Sequence, residues 1–403
     1  MIFLNYPQLS ILILQLIVVK YNNMSGNLLK NYIYPIATLS GTIIGVGLFS
    51  LPYIAARVGV WVMLAYFLVL GTLVILIHRF FGELSIETPD FKRLPGFARI
   101  YLGKKGELIA YATTIVGILG SLLAYLIVGG KFLENLFSPV FGGDNLAYTS
   151  IYFFIGAIIV FFGIKAIEKV EFWGLVLFFA ALIAIFFKAR PYIDFQNFIF
   201  TPDYKSLFLP YGAILFSLWG ASLIPEVEEM LKSKKELLKK IIPVAILIPI
   251  FVYIFFIFLV LGITGSQTTE AALVGLKDTL GDGIIYLGLF FGVLTTFTSF
   301  IAISLTLKKV LMFDLGLSKI HAFIITTTLP LIFFLLGLKS FILVISFVGG
   351  VLLGIDGLLI LLMYKKFLAK RGIIKLKKEI LIYSLAFVFF VGIFYELFYF
   401  YIK

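Results

Sequence analysis

Residues 40 to 52 read SGTIIGVGLFSLP, an apolar run that holds Gly41, Gly45 and Gly47 and then Pro52. No side chain in it can serve as an acid, a base or a metal ligand of ordinary strength. The chemistry on offer is that of the main chain. Glycine costs about 1 kcal/mol in a helix interior and lets another group approach the backbone. A helix broken here turns out N–H groups at the start of its second half, where the positive dipole end suits a carboxylate. It also turns out C=O groups at the end of its first half, which suit a cation or an ammonium group. A second such run, LPYGAILFSLWGASLIPEVEEM at 209 to 230, holds Gly212, Ser217, Gly220, Ser222 and Pro225, followed by Glu226. Pro225 removes a donor and clashes with the preceding turn. The competing explanation for the first run is close helix packing, because Gly41 and Gly45 have the G-x-x-x-G spacing of helix contacts in membranes. The recurrence of the pattern weighs towards breaks.

Titratable candidates are few. Asp356, in LLGIDGLLI, is the most isolated acid, and Glu226 follows the second interruption. An ionisable residue inside a membrane is a functional candidate, here for carrying a proton. There is no cysteine, which excludes thiolate chemistry. The two histidines, His78 and His321, lie too far apart in sequence to suggest a metal set, and each is expected at an interface.

These residues need elements to position them. The chain of 403 residues is 62% hydrophobic and only 13% charged, where a soluble domain carries about 25% charge. It reads as an all-α polytopic membrane protein. A spanning helix takes about 20 mostly apolar residues, which predicts eleven transmembrane helices. They lie near 33–57, 60–82, 107–130, 149–164, 170–187, 207–229, 241–264, 281–306, 320–336, 340–363 and 379–402. The interrupted spans are the first and the sixth. Five spans separate them, an odd number, so the second unit is inverted relative to the first. Inverted repeats with discontinuous helices mark secondary transporters whose site lies where the breaks meet. The expected organisation is a first repeat over about 33–187, a second over about 207–363, and an extra helix at 379–402, all in one transporter domain from 24 to 403.

With the first span starting in the cytoplasm, twenty-five of the 33 lysines and arginines fall on the cytoplasmic side. That bias predicts a cytoplasmic amino terminus and an extracellular carboxyl terminus of a multi-pass protein in the cell membrane. It places loop 85–105 inside and loop 188–206 outside. The net charge of +12 therefore reports orientation and does not call for nucleic acid. The basic run at 365–378 is a solvated cytoplasmic face suited to anionic lipid heads. Glu83 is expected in a structural pair with the basic loop, and Lys131 with Glu134. Residues 9 to 19, LSILILQLIVV, are too short to span. Residues 1–23 are expected to be an extension outside the working protein, with translation from Met24, or a short interfacial helix.

The stretches SGTIIGVGLFSLPYIAARVG, AYLIVGGKFLENLF (124–137), GELSIETPDFKRLPGFARIYLGKKG (82–106) and EVEEMLKSKKELLKKIIPVAI (226–246) resemble the amino acid/auxin permease family. That family lies within the amino acid–polyamine–organocation superfamily. The resemblance covers spans 1 to 3 and 6 to 8 best. It implies the fold of the bacterial leucine transporter and amino acid transport coupled to Na⁺ or H⁺. By the same resemblance, the substrate carboxylate meets amides near Thr42, Gly45, Val46 and Gly47. The amino group meets carbonyls near Gly41 and at Phe216 and Ser217. Trp219 and Gly220 shape the side-chain pocket, and Tyr125 is a wall or gate. Thr298 and Ser299, in TTFTSFIAIS at 295 to 304, match two hydroxyl ligands of a sodium site that carbonyls near Gly41 and Ile44 complete. Some relatives that do not need sodium place a span 5 lysine there, and span 5 here has no internal lysine after Lys169. The proton alternative rests on Asp356 and Glu226.

The function expected is import of an amino acid by cation symport through alternating access. The alternatives are an exchanger or a non-transporting amino acid sensor. A channel would want polar rings and an enzyme a nucleophile with its base or a metal set, and neither pattern is present. Beyond a coupling Na⁺, no cofactor is expected. The partners are the amino acid and the bilayer, and the oligomeric state is left open.

Overall fold

A computed structural model of the chain describes residues 28–88, 92–163, 167–199, 203–276, 280 and 282–402. The expected extension at 1–23 lies outside the described residues. The first expected span forms two helices, α1 (Tyr34–Ile43) and α2 (Leu51–Val58). Gly59, with φ of 89°, then turns the chain into α3 (Val60–Glu87); that left-handed conformation favours glycine. A short helix, α4 (Leu94–Leu102), precedes α5 (Lys104–Phe141). Next come α6 (Asn145–Phe162) and α7 (Ile167–Ala189). The second interrupted span gives α8 (Leu209–Leu218) and α9 (Ile224–Leu231). Then follow α10 (Leu238–Thr264), α11 (Asp282–Lys309) and α12 (Lys319–Leu335). The tenth expected span divides into α13 (Phe341–Phe347) and α14 (Gly354–Lys370) around a π-helical segment, Val348–Leu353. The last helix is α15 (Leu376–Ile402).

The chain is an all-helical, multi-pass membrane protein. Among the described residues, seven helical stretches are long and apolar enough to cross a bilayer, and eight when α1 and α2 count as one bent span. In that count Leu209–Gln267 runs as a single stretch, and α12 is shorter than the rest. The third span is longer than expected. α5 has 38 residues and continues to Phe141, which at 1.5 Å per residue is about 57 Å, well beyond a bilayer core of about 30 Å. It ends only where Gly142 and Gly143 adopt positive φ and Asp144 caps α6 by accepting from the Ala147 N–H at 3.0 Å.

The packing has an exchange pattern. α1 lies on α10, and α8, its counterpart five spans on, lies on α3. α5 packs with α6 and α12, and α11 packs with α12 and α6. α7 sits against α11, and the π segment with α14 against α5. These contacts of the first five spans have their images in the next five, as two inverted repeats require. The repeats meet most extensively along α5 and α11. The broken helices occupy the middle. α8 is buried along almost its whole length, whereas α15 leaves much of its surface exposed.

Lys131 and Glu134 pair as expected, at 2.9 Å. Glu83 takes a different partner: it accepts from the Tyr364 hydroxyl at 2.6 Å. α14 packs on α3, so the nearest donor is an aromatic hydroxyl of the bundle.

Candidate functional site: two broken helices around a cavity

The first break is narrow. Thr42 and Ile43 remain helical. Ile44 then takes ψ of 72°, and Gly45 is fully extended, with φ of −111° and ψ of −151°. A 3-10 turn, Val46–Ser50, follows, and the two halves are bent by 45°. The second break falls on Trp219 (ψ of 116°) and Gly220, after which a 3-10 turn, Ala221–Leu223, leads into α9. Both interruptions sit where glycine and proline placed them.

The breaks face one cavity of about 130 Å³. Thr42, Gly45, Val46 and Gly47 line it from the first break. Phe216, Ser217 and Trp219 line it from the second, and Tyr125 from α5. Val46 and Gly47 open the 3-10 turn, so helical geometry leaves their N–H groups without an intrahelical partner. Across the cavity, α8 ends with carbonyls in the same condition. The cavity therefore has a donor wall and an acceptor wall, the complement of an amino acid's carboxylate and ammonium groups.

The glycines also answer the packing explanation. A Cβ on Gly45 would run into the Tyr125 hydroxyl. One on Gly47 would lie 2.9 Å from Ser217 Cβ and 3.0 Å from its Cα. The space beside these glycines is thus filled by protein. The run both breaks the helix and packs closely: Gly45 and Gly47, not the Gly41 and Gly45 pair, let Tyr125 and Ser217 approach. Gly41 and Gly220 do not line the cavity. Gly41 is half-buried in α1, and Gly220 lies against Leu39 and Ile43.

Two side chains that join the breaks escaped the sequence reading. Tyr253, buried on α10, has its hydroxyl 2.6 Å from the Ile43 carbonyl and 2.8 Å from the Ser217 carbonyl. Its one proton can go to only one of them at a time. One of the carbonyls offered to an ammonium group, that of Ser217, is therefore shared with this hydroxyl. His78 corrects an expectation: it is fully buried on α3 and does not lie at an interface. Its Nε2 is 2.9 Å from the Gly220 nitrogen, and its Nδ1 is 2.8 Å from the Val74 carbonyl. α3 runs beside both α8 and α9, which carries this ring into the second break. His321 is exposed and meets Ser318.

Asp356, buried on α14, lines the same cavity and accepts a hydrogen bond from Thr113 on α5. Its partner is a hydroxyl and not a charged group, in keeping with its isolation among the ionisable residues of the sequence. Glu226 lies at one end of the site. There Arg93 sits 3.5 Å from Glu226 and 3.7 Å from Asp314, tying α9 to the segment after α11. Arg93 lines the central cavity, while Glu226 lines a second and larger one of about 980 Å³. The larger cavity also has Lys30, Lys308, Lys309 and Lys319 on its walls and shares Ala302 and Thr306 with the first. The site thus opens towards the lysine-rich end of the molecule.

Thr298 and Ser299 lie on α11, Ser299 buried and Thr298 partly so. Thr298 donates to the Thr295 carbonyl at 3.1 Å, which leaves its oxygen lone pairs available. Ile44 is buried at the break. The donor types fit a hard cation. α11 makes its main contacts with α5, α6, α7 and α12.

The model of the tryptophan/tyrosine permease family matches residues 30–398. The tyrosine-specific transport system 1 of Haemophilus influenzae is 27% identical over 332 residues, covering 77% of this chain and 82% of that protein. The glutamine transporter 2 of Aliivibrio fischeri is 22% identical over 326 residues, covering 78% and 83%. Both relatives are transporters and not enzymes. Among solved structures, MhsT in complex with L-phenylalanine superposes with a TM-score of 0.65 at 17% identity, over 91% of this chain and 97% of that one. Mhp1, a nucleobase-cation-symport-1 family transporter in a closed conformation with bromovinylhydantoin bound, gives 0.63 at 15% identity, over 85% and 79%. These two likenesses establish the shared fold.

Proposed function

The chain belongs to the tryptophan/tyrosine permease family, and from that premise we propose that it carries an aromatic L-amino acid across the cell membrane by cation symport through alternating access. The observation that carries this reading is the cavity shared by the two broken helices. The Val46 and Gly47 amides bind the carboxylate, and the carbonyl ends of α8, at Phe216 and Ser217, bind the ammonium group. Trp219 and Tyr125 flank the side chain with flat apolar surface, which suits an aromatic ring. The opening towards the lysine-rich end makes this the inward-facing form, given the charge bias that puts that end in the cytoplasm. Arg93, between Glu226 and Asp314, is the contact that closes that end or releases it.

For coupling, the observation favours a proton. Asp356 is a buried carboxylate on the wall of the cavity, while Thr298 and Ser299 are not among its lining residues. Protonated, Asp356 loses its charge, and the wall it shares with Thr113 becomes cheap to close against an apolar surface. Sodium is the second reading. Gly41, Ile44, Thr298 and Ser299 would hold it, and it would supply a fixed positive charge near the substrate carboxylate. The sequence also resembles amino acid/auxin permeases, and an exchanger or a sensor is the rival function.

Uptake of labelled L-tyrosine and L-tryptophan into proteoliposomes tests the reading. A symporter accumulates one of them saturably under an inward proton gradient without sodium, and Asp356→Asn loses that dependence on the gradient. Accumulation under a sodium gradient alone shifts coupling to the Thr298 and Ser299 set. Counterflow without net uptake indicates an exchanger, and binding without flux a sensor.

A further inference from the structure

Of the polar side chains buried in the bundle, His78 is joined directly to a main-chain atom of a break. The Gly220 N–H can only donate, so Nε2 of His78 accepts it, at 2.9 Å. The ring's one remaining proton is then on Nδ1 and goes to the Val74 carbonyl, 2.8 Å away. Both bonds fix one tautomer of a neutral imidazole. The ring also meets Trp219 edge-on, with centroids 5.2 Å apart at 76°. A side chain on α3 thus holds both residues that form the second break.

This contact has a consequence for what the cavity shows its ligand. A break frees N–H groups as well as C=O groups. At the second break the Gly220 N–H is taken by His78 and withdrawn from the cavity, which Gly220 does not line. The carbonyl ends of α8 stay. We propose that His78 is the positioning residue of the second break: by binding the Gly220 N–H and bracing Trp219, it keeps the carbonyl ends of α8 turned to the substrate's ammonium group. The inference rests on the amino acid reading of the cavity given above. The wall then selects for a ligand with an ammonium group and against a deaminated acid of the same shape.

Three forms separate this role from packing. His78→Gln keeps an acceptor oxygen near the place of Nε2. His78→Leu keeps an apolar bulk of similar reach without any acceptor. The measurement is inhibition of L-tyrosine uptake by L-tyrosine and by 3-(4-hydroxyphenyl)propanoate, compared as a ratio at matched membrane levels. His78→Leu leaves a buried donor unpaired, so it is expected to raise the KM and to lower the preference for the amino acid by about tenfold. His78→Gln is expected to stay within about threefold of the parent on both. Equal behaviour of Leu and Gln, whether intact or impaired, overturns the proposal.

A second readout does not depend on transport. In a Trp61→Phe, Trp173→Phe background, Trp219 is the remaining tryptophan. Its iodide quenching should rise in His78→Leu and not in His78→Gln. No difference between the two overturns the inference even if the parent carries no tyrosine, whereas a parent without uptake but with this quenching pattern counts against the transport reading alone.

Discussion

Tyr253 has one proton and two carbonyls within reach, one on each broken helix. It is the single side chain on α10 that touches both breaks at their main-chain ends, and it holds them together while leaving each carbonyl a second lone pair. Tyr253→Phe removes one hydroxyl and little volume. We expect uptake to fall about threefold to tenfold, the worth of a hydrogen bond together with the exposed acceptors it leaves, with unchanged membrane levels. An unaltered rate would show that the breaks do not need the tie. Gly47→Ala should cost more, because its Cβ meets Ser217 at the Cα as well as at the side chain. Ser217→Gly in the same chain should recover part of the loss, as expected for neighbours that share one space. If the double variant is as poor as the product of the single ones, the contact between the breaks is not the cause. Gly45, Gly47, Ser217 and Asp356 stood out in the sequence because such residues are out of place in an apolar span, and Trp219 entered only through the family resemblance. His78 and Tyr253 could not. Their partners are backbone atoms 142 and 210 positions away, and nothing local to either residue names them.

Among the elements, the π segment at Val348–Leu353 has no sequence signature. VGGVLLG reads as ordinary membrane helix. Its irregularity follows from the neighbour it must accommodate. Gly349 presses on the Gly212 carbonyl of α8 so closely that a Cβ would overlap it. Gly350 in turn receives the side chain of Glu396 from α15, whose Oε1 would also lie 2.8 Å from a Cβ on Gly212. Glu396 is buried, and nothing local in FYELFYF names the glycines it meets. Gly349→Ala should therefore lower the melting temperature by several degrees, since overpacking a close backbone contact costs about 1–3 kcal/mol. Gly174→Ala, with nothing within 4 Å of its Cβ, should be neutral or slightly stabilising. Equal melting of the two variants would mean that the α8 contact is loose. The break positions themselves were readable to within a residue or two, because glycine and proline act locally. The extent of α5 was not, since a helix that leaves the bilayer continues until a terminator stops it, and the terminator here is Gly142 with φ of 66°, whose N–H bonds the Ser138 carbonyl.

At the scale of the whole molecule, the account joins an orientation to a site. In the proposed topology, with twenty-five of the 33 basic residues on the cytoplasmic side, the larger cavity and Arg93 would face the cytoplasm. The chain has no cysteine of its own, so single thiols report cleanly. A cysteine at Lys104, which is exposed, should resist an impermeant maleimide added to intact cells, and one at Asp194, also exposed, should react. The opposite pattern would reverse the direction in which the cavity opens. The central claim is that substrate binds between the breaks, and a cysteine at Thr42, on the cavity wall, tests it most directly. In a Thr42→Cys variant that still transports, saturating L-tyrosine or L-tryptophan should slow labelling of that thiol by about tenfold, the mark of a site whose ligand excludes the reagent. Labelling that proceeds at the same rate while the amino acid is being carried would contradict the site.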